Sequence, residues 1–237
     1  MYGERWIDIM VFHYVLFEFD WDKVKFSKMS KVIKKRIIEK GETYKDILGE
    51  SDYEGYKELR DYYYKIYDDM ADIKTIDDEK EIVYEMCYPI PEGYQFTHYD
   101  DFGADRSYGG ERNHMGNDIM ANIGTPIVAV ASGIIEKIGW NELGGWRIGI
   151  RDNQNRYWYY AHMKEYAEDM KQGKRVYVGN VIGYVGSSGY GSKGTTGKFA
   201  DHLHIQIGVE FQEGKLTWVN PYEFLMTLRD NNRKILY

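Results

Sequence analysis

Six histidines occur in the 237-residue sequence, and four of them stand in polar, patterned surroundings. In His202-Leu203-His204-Ile205-Gln206-Ile207-Gly208-Val209 polar and apolar side chains alternate. A strand period of two puts His202, His204 and Gln206 on one face and Leu203, Ile205, Ile207 and Val209 on the other. Two imidazoles one strand repeat apart can reach the same small object above a sheet. They equally describe a pair of solvent-facing strand histidines. His114-Met115-Gly116-Asn117-Asp118 pairs an imidazole with a carboxylate, a nitrogen and oxygen set that suits Zn²⁺. Gly116 and Asn117 favour a turn between the two rather than a helical face. His162 closes the run Tyr157-Trp158-Tyr159-Tyr160-Ala161, where the end of a strand can project a side chain into a cleft.

Singly, each of these is weak. Together they match what a hydrolytic zinc site requires: three protein ligands and an open fourth position. Such a site also needs groups that move protons and stabilise a developing oxyanion. His114, Asp118 and one of the pair His202 and His204 would supply the ligands. The other strand histidine and His162 would supply the proton chemistry.

The elements that must position these residues follow from glycine and proline. Of 25 glycines only Gly3, Gly41, Gly49 and Gly55 precede residue 88, and all four prolines follow it. The early part is therefore expected to be helical and the later part turn-rich. Met29, Val32, Ile33, Arg36 and Ile37 follow helical spacing, with Ser27 as N-cap and Gly41 as stop. Ser51 and Glu54 form a candidate capping box before Tyr53, Tyr56, Leu59, Tyr63, Ile66, Tyr67 and Met70 at helical intervals. That aromatic stripe reads as core or interface more readily than as a ligand face. Residues 1–84 carry 15 basic and 20 acidic side chains, a net of −5 that fits a solvated helical region. The grammar changes at Tyr88-Pro89-Ile90-Pro91-Glu92-Gly93, which sets expected domains of 1–84 and 85–237. Beyond it, strands are expected at 126–130, 133–138, 146–150, 157–160, 181–185 and 202–209. Many short strands of this spacing predict an antiparallel β architecture, and with the helical region an α+β fold class.

Composition bounds the rest. A net charge of −7 leaves no basic field to recruit nucleic acid. Cys87, the single cysteine, excludes an intramolecular disulfide and any cysteine-rich zinc module; a buried inert thiol is expected. No segment has the apolar length of a membrane span; the longest candidate, Ile9 to Phe19, is interrupted by His13 and Glu18. Met1-Tyr2-Gly3-Glu4-Arg5 does not open a basic n-region followed by an apolar h-region, which leaves targeting undecided.

The order H-x-x-x-D, an isolated histidine after an aromatic strand, then H-x-H resembles the lysostaphin/LytM-type zinc endopeptidases of peptidase family M23. The surrounding words agree. They include Asp101-Phe102-Gly103-Ala104-Asp105-Arg106 before the first histidine and Gly124-Thr125-Pro126-Ile127 after the aspartate. Tyr160-Ala161-His162-Met163 and Gly179-Asn180-Val181-Ile182-Gly183-Tyr184-Val185-Gly186 follow in the family's order. The resemblance covers roughly residues 88–225 and does not reach 1–84. It implies an antiparallel lysostaphin-like domain of the duplicated hybrid motif type, with one zinc ion per chain. It makes His114, Asp118 and His204 the metal ligands and His162 and His202 the catalytic histidines. It implies peptidoglycan peptides as substrate, in the stem or the cross-bridge, and an extracellular or envelope location. The segment from Gly186 to Gly197 would wall the groove or form a mobile surface loop. A non-catalytic scaffold or peptidoglycan-binding module of the same fold is the alternative, although such relatives usually lack a ligand that this chain keeps. Residues 1–84 are expected to serve as an inhibitory cap, a partner-binding arm or a self-association surface.

Overall fold

The computed structural model describes residues 6–18, 31–68, 70–76, 79–108 and 110–231. Two compact units divide the chain, Met1–Asp68 and Asp69–Tyr237. The first is helical: α1 (Trp6–Leu16), a π-helical segment (Ile33–Ile38), α2 (Tyr44–Leu48) and α3 (Glu50–Tyr67). Its core is Ile7, Val11, Phe12 and Val15 of α1 against Tyr56 of α3. Tyr53, Leu59, Tyr63 and Tyr67 pack on that cluster, so the tyrosine stripe is core. Two tyrosine hydroxyls of α3 tie it to α1, Tyr56 donating to Asp8 Oδ1 (3.3 Å) and Tyr64 to Asp8 Oδ2 (2.6 Å).

Three expectations for this region change. The capping box belongs to α2, where Thr43 Oγ1 accepts from the Asp46 amide and Asp46 accepts from the Thr43 amide. Ser51 instead lies inside α3, which follows Gly49 with no side-chain cap. The helical reading ends at Tyr67, because β1 (Ala71–Ile76) and β2 (Glu79–Tyr84) form an antiparallel pair within the second unit. This hairpin contains neither glycine nor proline, and the contact division at Asp68 leaves it with the second unit. Ser27 and Met29 lie outside the described residues.

The second unit is built on a large antiparallel sheet. Its members are β3 (Phe96–His98), β6 (Asn117–Ala121), β7 (Pro126–Val128), β8 (Gly133–Asn141), β9 (Gly145–Asp152), β10 (Tyr157–Tyr166), β11 (Arg175–Val176), β12 (Val181–Val185), β13 (His202–Gln212) and β14 (Lys215–Val219). Along the main path the order is β11-β8-β9-β10-β13-β6-β3. All six strands expected from the alternation are present, so the antiparallel β-rich class is the observed one. Two short strands, β4 (Asp105–Arg106) and β5 (Arg112–Asn113), pair separately.

The pleat sorts β13 as expected. Leu203, Ile205 and Ile207 are fully buried on one face, while His204 and Gln206 remain partly open on the other. Trp158 of β10 and Ile148 and Ile150 of β9 are also fully buried, and the C-terminal helix α4 (Tyr222–Asn231) contributes buried Phe224, Leu225 and Leu228. The Trp158 and Phe224 rings meet at 5.6 Å. Such apolar burial supplies the main folding drive, about 25 cal/mol per Å² removed from water.

Candidate metal centre

β13 lies between β10 and β6, and its register sets the site. His204 stands directly across from Asp118 on one side and Ala161 on the other. Gly116 bends the chain, and β6 begins at Asn117, so Asp118 is a strand residue rather than part of the expected turn. The bend brings His114 back over His204. A loop fixes His114 in turn: its amide donates to the Ala104 carbonyl (2.8 Å) and its carbonyl accepts from Gly103 (2.7 Å).

Three side chains converge. One ligand atom from each of His114, Asp118 and His204 lies within 4.8 Å of the other two. His114 Nε2 is 2.8 Å from His204 Nδ1, and Asp118 Oδ1 lies 3.1 Å from the first and 2.9 Å from the second. The outer nitrogen of His114, Nδ1, donates to the Asp101 carbonyl at 3.0 Å and faces the Asp101 carboxylate at 3.1 Å. That turns Nε2 inward, the arrangement in which an outer carboxylate orients a metal-binding imidazole. Arg106 Nη2 donates to Asp101 Oδ2 (2.9 Å) and to the outer Asp118 oxygen, Oδ2 (3.0 Å), leaving Oδ1 for the centre.

The donor chemistry fits a cation. Two imidazole lone pairs and a carboxylate oxygen aimed at one point repel each other unless positive charge lies between them. The electrostatics agree. Burial alone would lower the His114 pKa, but hydrogen bonds to Asp101 and Asp118 outweigh it and raise it to about 9. Burial likewise pushes Asp118 up, yet its contacts with His114 and His204 hold it well below the usual carboxylate range. Asp118 is therefore an anion that attracts positive charge, and two nitrogens and one oxygen suit a divalent transition metal.

His202 and His162 flank this cluster. His202 Nδ1 donates to the Ala200 carbonyl (2.7 Å), which turns Nε2 to within 3.5 Å of Asp118 Oδ1. His162 Nδ1 donates to the Ser188 carbonyl (2.8 Å), freeing its Nε2, and the His162 and His202 rings are 4.7 Å apart. His162 does not end its strand. It sits at a bulge within β10, between Tyr160 and Met163, with a left-handed φ of 62°. A non-glycine residue there is strained and persists only where its surroundings enforce it. They do: its amide donates to the Gly144 carbonyl at 2.7 Å, and its ring abuts Phe199 at 4.5 Å.

All five predicted residues line one cleft except that His114, Asp118 and His204 form its floor cluster while His162 and His202 stand beside it. The wall expected from 186–197 is tethered. Fully buried Ser188 donates to the Met163 carbonyl (2.6 Å) and accepts from the Trp146 amide (3.0 Å). Tyr190 stacks on Tyr108 at 4.1 Å. Several contributors were not read from the sequence as site residues. Asp101 and Arg106 orient His114 and Asp118; their charges, clustered at a glycine turn ahead of His114, were the available signal. The hairpin turn Asn141–Gly144 and Tyr159 line the cleft without any motif to mark them.

Residues 112–221 match peptidase family M23. Those residues form an M23 peptidase domain within the β-sheet unit. The M23 domain is also similar to individual proteins. An L-Ala–D-Glu endopeptidase of Bacillus subtilis (strain 168) is 44% identical over 142 residues, which is 60% of this chain and 43% of that one. Lysostaphin of Staphylococcus simulans is 41% identical over 96 residues, 39% of this chain and 17% of that one. The chain therefore spans less than half the length of either relative. A solved structure from Ruminococcus gnavus, described as a candidate glycyl-glycine endopeptidase LytM, superposes with a TM-score of 0.66 at 28% identity. That match covers 94% of this chain and 82% of the other, so it extends beyond the M23 domain.

Proposed function

We propose that the protein is a zinc-dependent endopeptidase that hydrolyses peptide bonds of bacterial peptidoglycan. In this reading His114, Asp118 and His204 hold one zinc ion, and His162 and His202 are the catalytic histidines. The observation that carries it is the convergence of three ligand atoms within 4.8 Å at the floor of a cleft flanked by two further imidazoles. Zinc bound there would supply Lewis acidity, activating a water and polarising the scissile carbonyl. The chain's own residues do the rest. Asp101 and Arg106 fix the orientation of His114 and Asp118. His202 and His162, each with Nδ1 bound to a backbone carbonyl, present Nε2 as the atom that accepts a proton and returns it to the leaving amine. The same nitrogens, once protonated, stabilise negative charge on the carbonyl oxygen.

Similarity to the L-Ala–D-Glu endopeptidase, over a longer stretch than to lysostaphin, supports the stem peptide over the cross-bridge as substrate. A wall substrate supports an extracellular or envelope location. No described helix is long and apolar enough to cross a membrane. The functional domains of this reading are residues 85–237 as peptidase and 1–84 as a partner-binding or self-association arm.

The test is metal content set beside cleavage of purified peptidoglycan. His204→Ala and Asp118→Ala should lose both bound zinc and activity. His202→Ala and His162→Ala should keep zinc and lose about 10²- to 10⁴-fold in rate. A zinc-loaded wild-type protein that releases no fragments, with or without chelator, would establish the non-catalytic alternative instead.

A further inference from the structure

The cleft contains a guanidinium that the proposed chemistry does not use. Arg112, on β5, lines the same cleft as His162 and His202. The cleft's other arginine, Arg106, is committed to Asp101 and Asp118. Arg112 has no carboxylate within ion-pair distance among the described residues. Its two protein partners are neutral oxygens: Nη2 donates to the Tyr190 hydroxyl (3.1 Å) and Nε to the Tyr108 carbonyl (3.4 Å). These partners are themselves fixed, since the Tyr108 and Tyr190 rings are stacked 5° from parallel. Tyr190 also sets its ring edge against His162, with centroids 5.9 Å apart. One tyrosine therefore spans from the catalytic histidine to Arg112.

A half-buried cation held in place but left without a counter-charge is prepared for an anion from elsewhere. An arginine has five N–H donors in a planar fork, and two contacts leave enough for a bidentate carboxylate. Because neighbours already hold the fork, little side-chain entropy is lost on pairing. The remaining charge that lines the cleft without orienting a ligand, Glu142, is acidic, so a substrate carboxylate has one favourable position.

We propose that Arg112 is a specificity determinant that pairs with a carboxylate on the substrate residue adjoining the scissile bond. The cleft thereby selects an acidic peptide over its amidated form. This rests on the peptidase reading above and adds to it the chemistry of the substrate. In a stem peptide the group in question is the free α-carboxylate of γ-linked D-glutamate, which amidation to isoglutamine removes.

The experiment compares L-Ala-γ-D-Glu-L-Lys-D-Ala with its α-amide, using the full chain as wild type, Arg112→Gln and Arg112→Lys. The zinc-loaded wild type should cleave the carboxylate form about 10- to 100-fold more efficiently, the worth of one charge-assisted contact. Arg112→Gln should lose that preference through KM, with zinc content unchanged, and Arg112→Lys should restore part of it. Peptide binding to the metal-free chain, followed by calorimetry or NMR shifts, reads the same preference without turnover. Failure to cleave either peptide, with the binding preference intact and dependent on Arg112, would overturn the peptidase reading alone. Equal binding of the two peptides by wild type, no binding of either, or equal loss of both in Arg112→Gln would overturn the role of Arg112.

Discussion

At His162 burial and the nearby His202 and His204 imidazoles act in the same direction, pulling its pKa down to about 3. At His114 the Asp101 and Asp118 carboxylates overcome burial and raise it to about 9. The two histidines are thus pushed apart by their surroundings: His162 is held neutral, and the carboxylates around His114 favour positive charge there. Between pH 3 and 6.5 the unfolded chain binds a proton at His162 that the fold refuses. That residue therefore favours folding less as pH falls through this window. A bound cation would depress the pKa further in the same direction. The His162 imidazole signal, assigned in NMR spectra with His162→Gln, should accordingly show no titration between pH 5 and 8. A midpoint inside that range would show that burial and the neighbouring imidazoles do not hold His162 neutral below pH 5.

Scaled up to strands, the site depends on how closely β6 approaches β13. Gly116 is where they meet: a Cβ there would collide with the Ile205 carbonyl and the Gln206 side chain and come to 3.0 Å from His204 Cε1. Gly116→Ala should therefore cost about 1–3 kcal/mol through overpacking against backbone. It should also weaken metal binding, because it separates His114 and Asp118 from His204. Thermal unfolding and zinc titration of the variant check both effects; an unchanged zinc affinity would show that the bend does not set the ligand geometry. His162 belongs to the same scale. A sequence can show that a histidine follows an aromatic strand, but the bulge that turns it inward needs the Gly144 carbonyl and Ser188, distant in sequence.

For the molecule as a whole, the division at Asp68 matters because every residue lining the candidate cleft belongs to the second unit. A chain lacking residues 1–68 should fold, bind one zinc ion and keep its cleavage activity; loss of zinc on truncation would refute independence of the site. A rise in activity would identify the helical unit as an inhibitory cap. A buried ion pair brackets the turn between β9 and β10 in the β unit. Asp152 Oδ2 accepts from Arg156 Nε (2.6 Å) and from Trp158 Nε1 (2.8 Å), with the paired side chains only 1% exposed. Arg156→Met would leave that carboxylate uncompensated and should destabilise the domain by about 3–5 kcal/mol in denaturant unfolding.

Local pattern alone determined the antiparallel strands and the alternation of β13, and it drew attention to five candidate side chains. Period two and glycine punctuation are properties of neighbouring residues, so they survive without a structure. The tyrosine stripe was legible as core for the same reason, from its helical period. The hairpin at 71–84 was not, since it contains neither glycine nor proline and, among the described residues, its strands are paired only with each other. Nor could spacing choose the capping box, because Thr43 and Ser51 offer similar patterns and only the helix start selects between them. What tertiary structure alone decided was convergence. Asp118 meets His204 through strand register, His114 reaches both through the bend at Gly116, and Asp101 and Arg106 complete the set from a separate loop. Those distances depend on contacts between residues 86 to 90 positions apart, which no local pattern encodes.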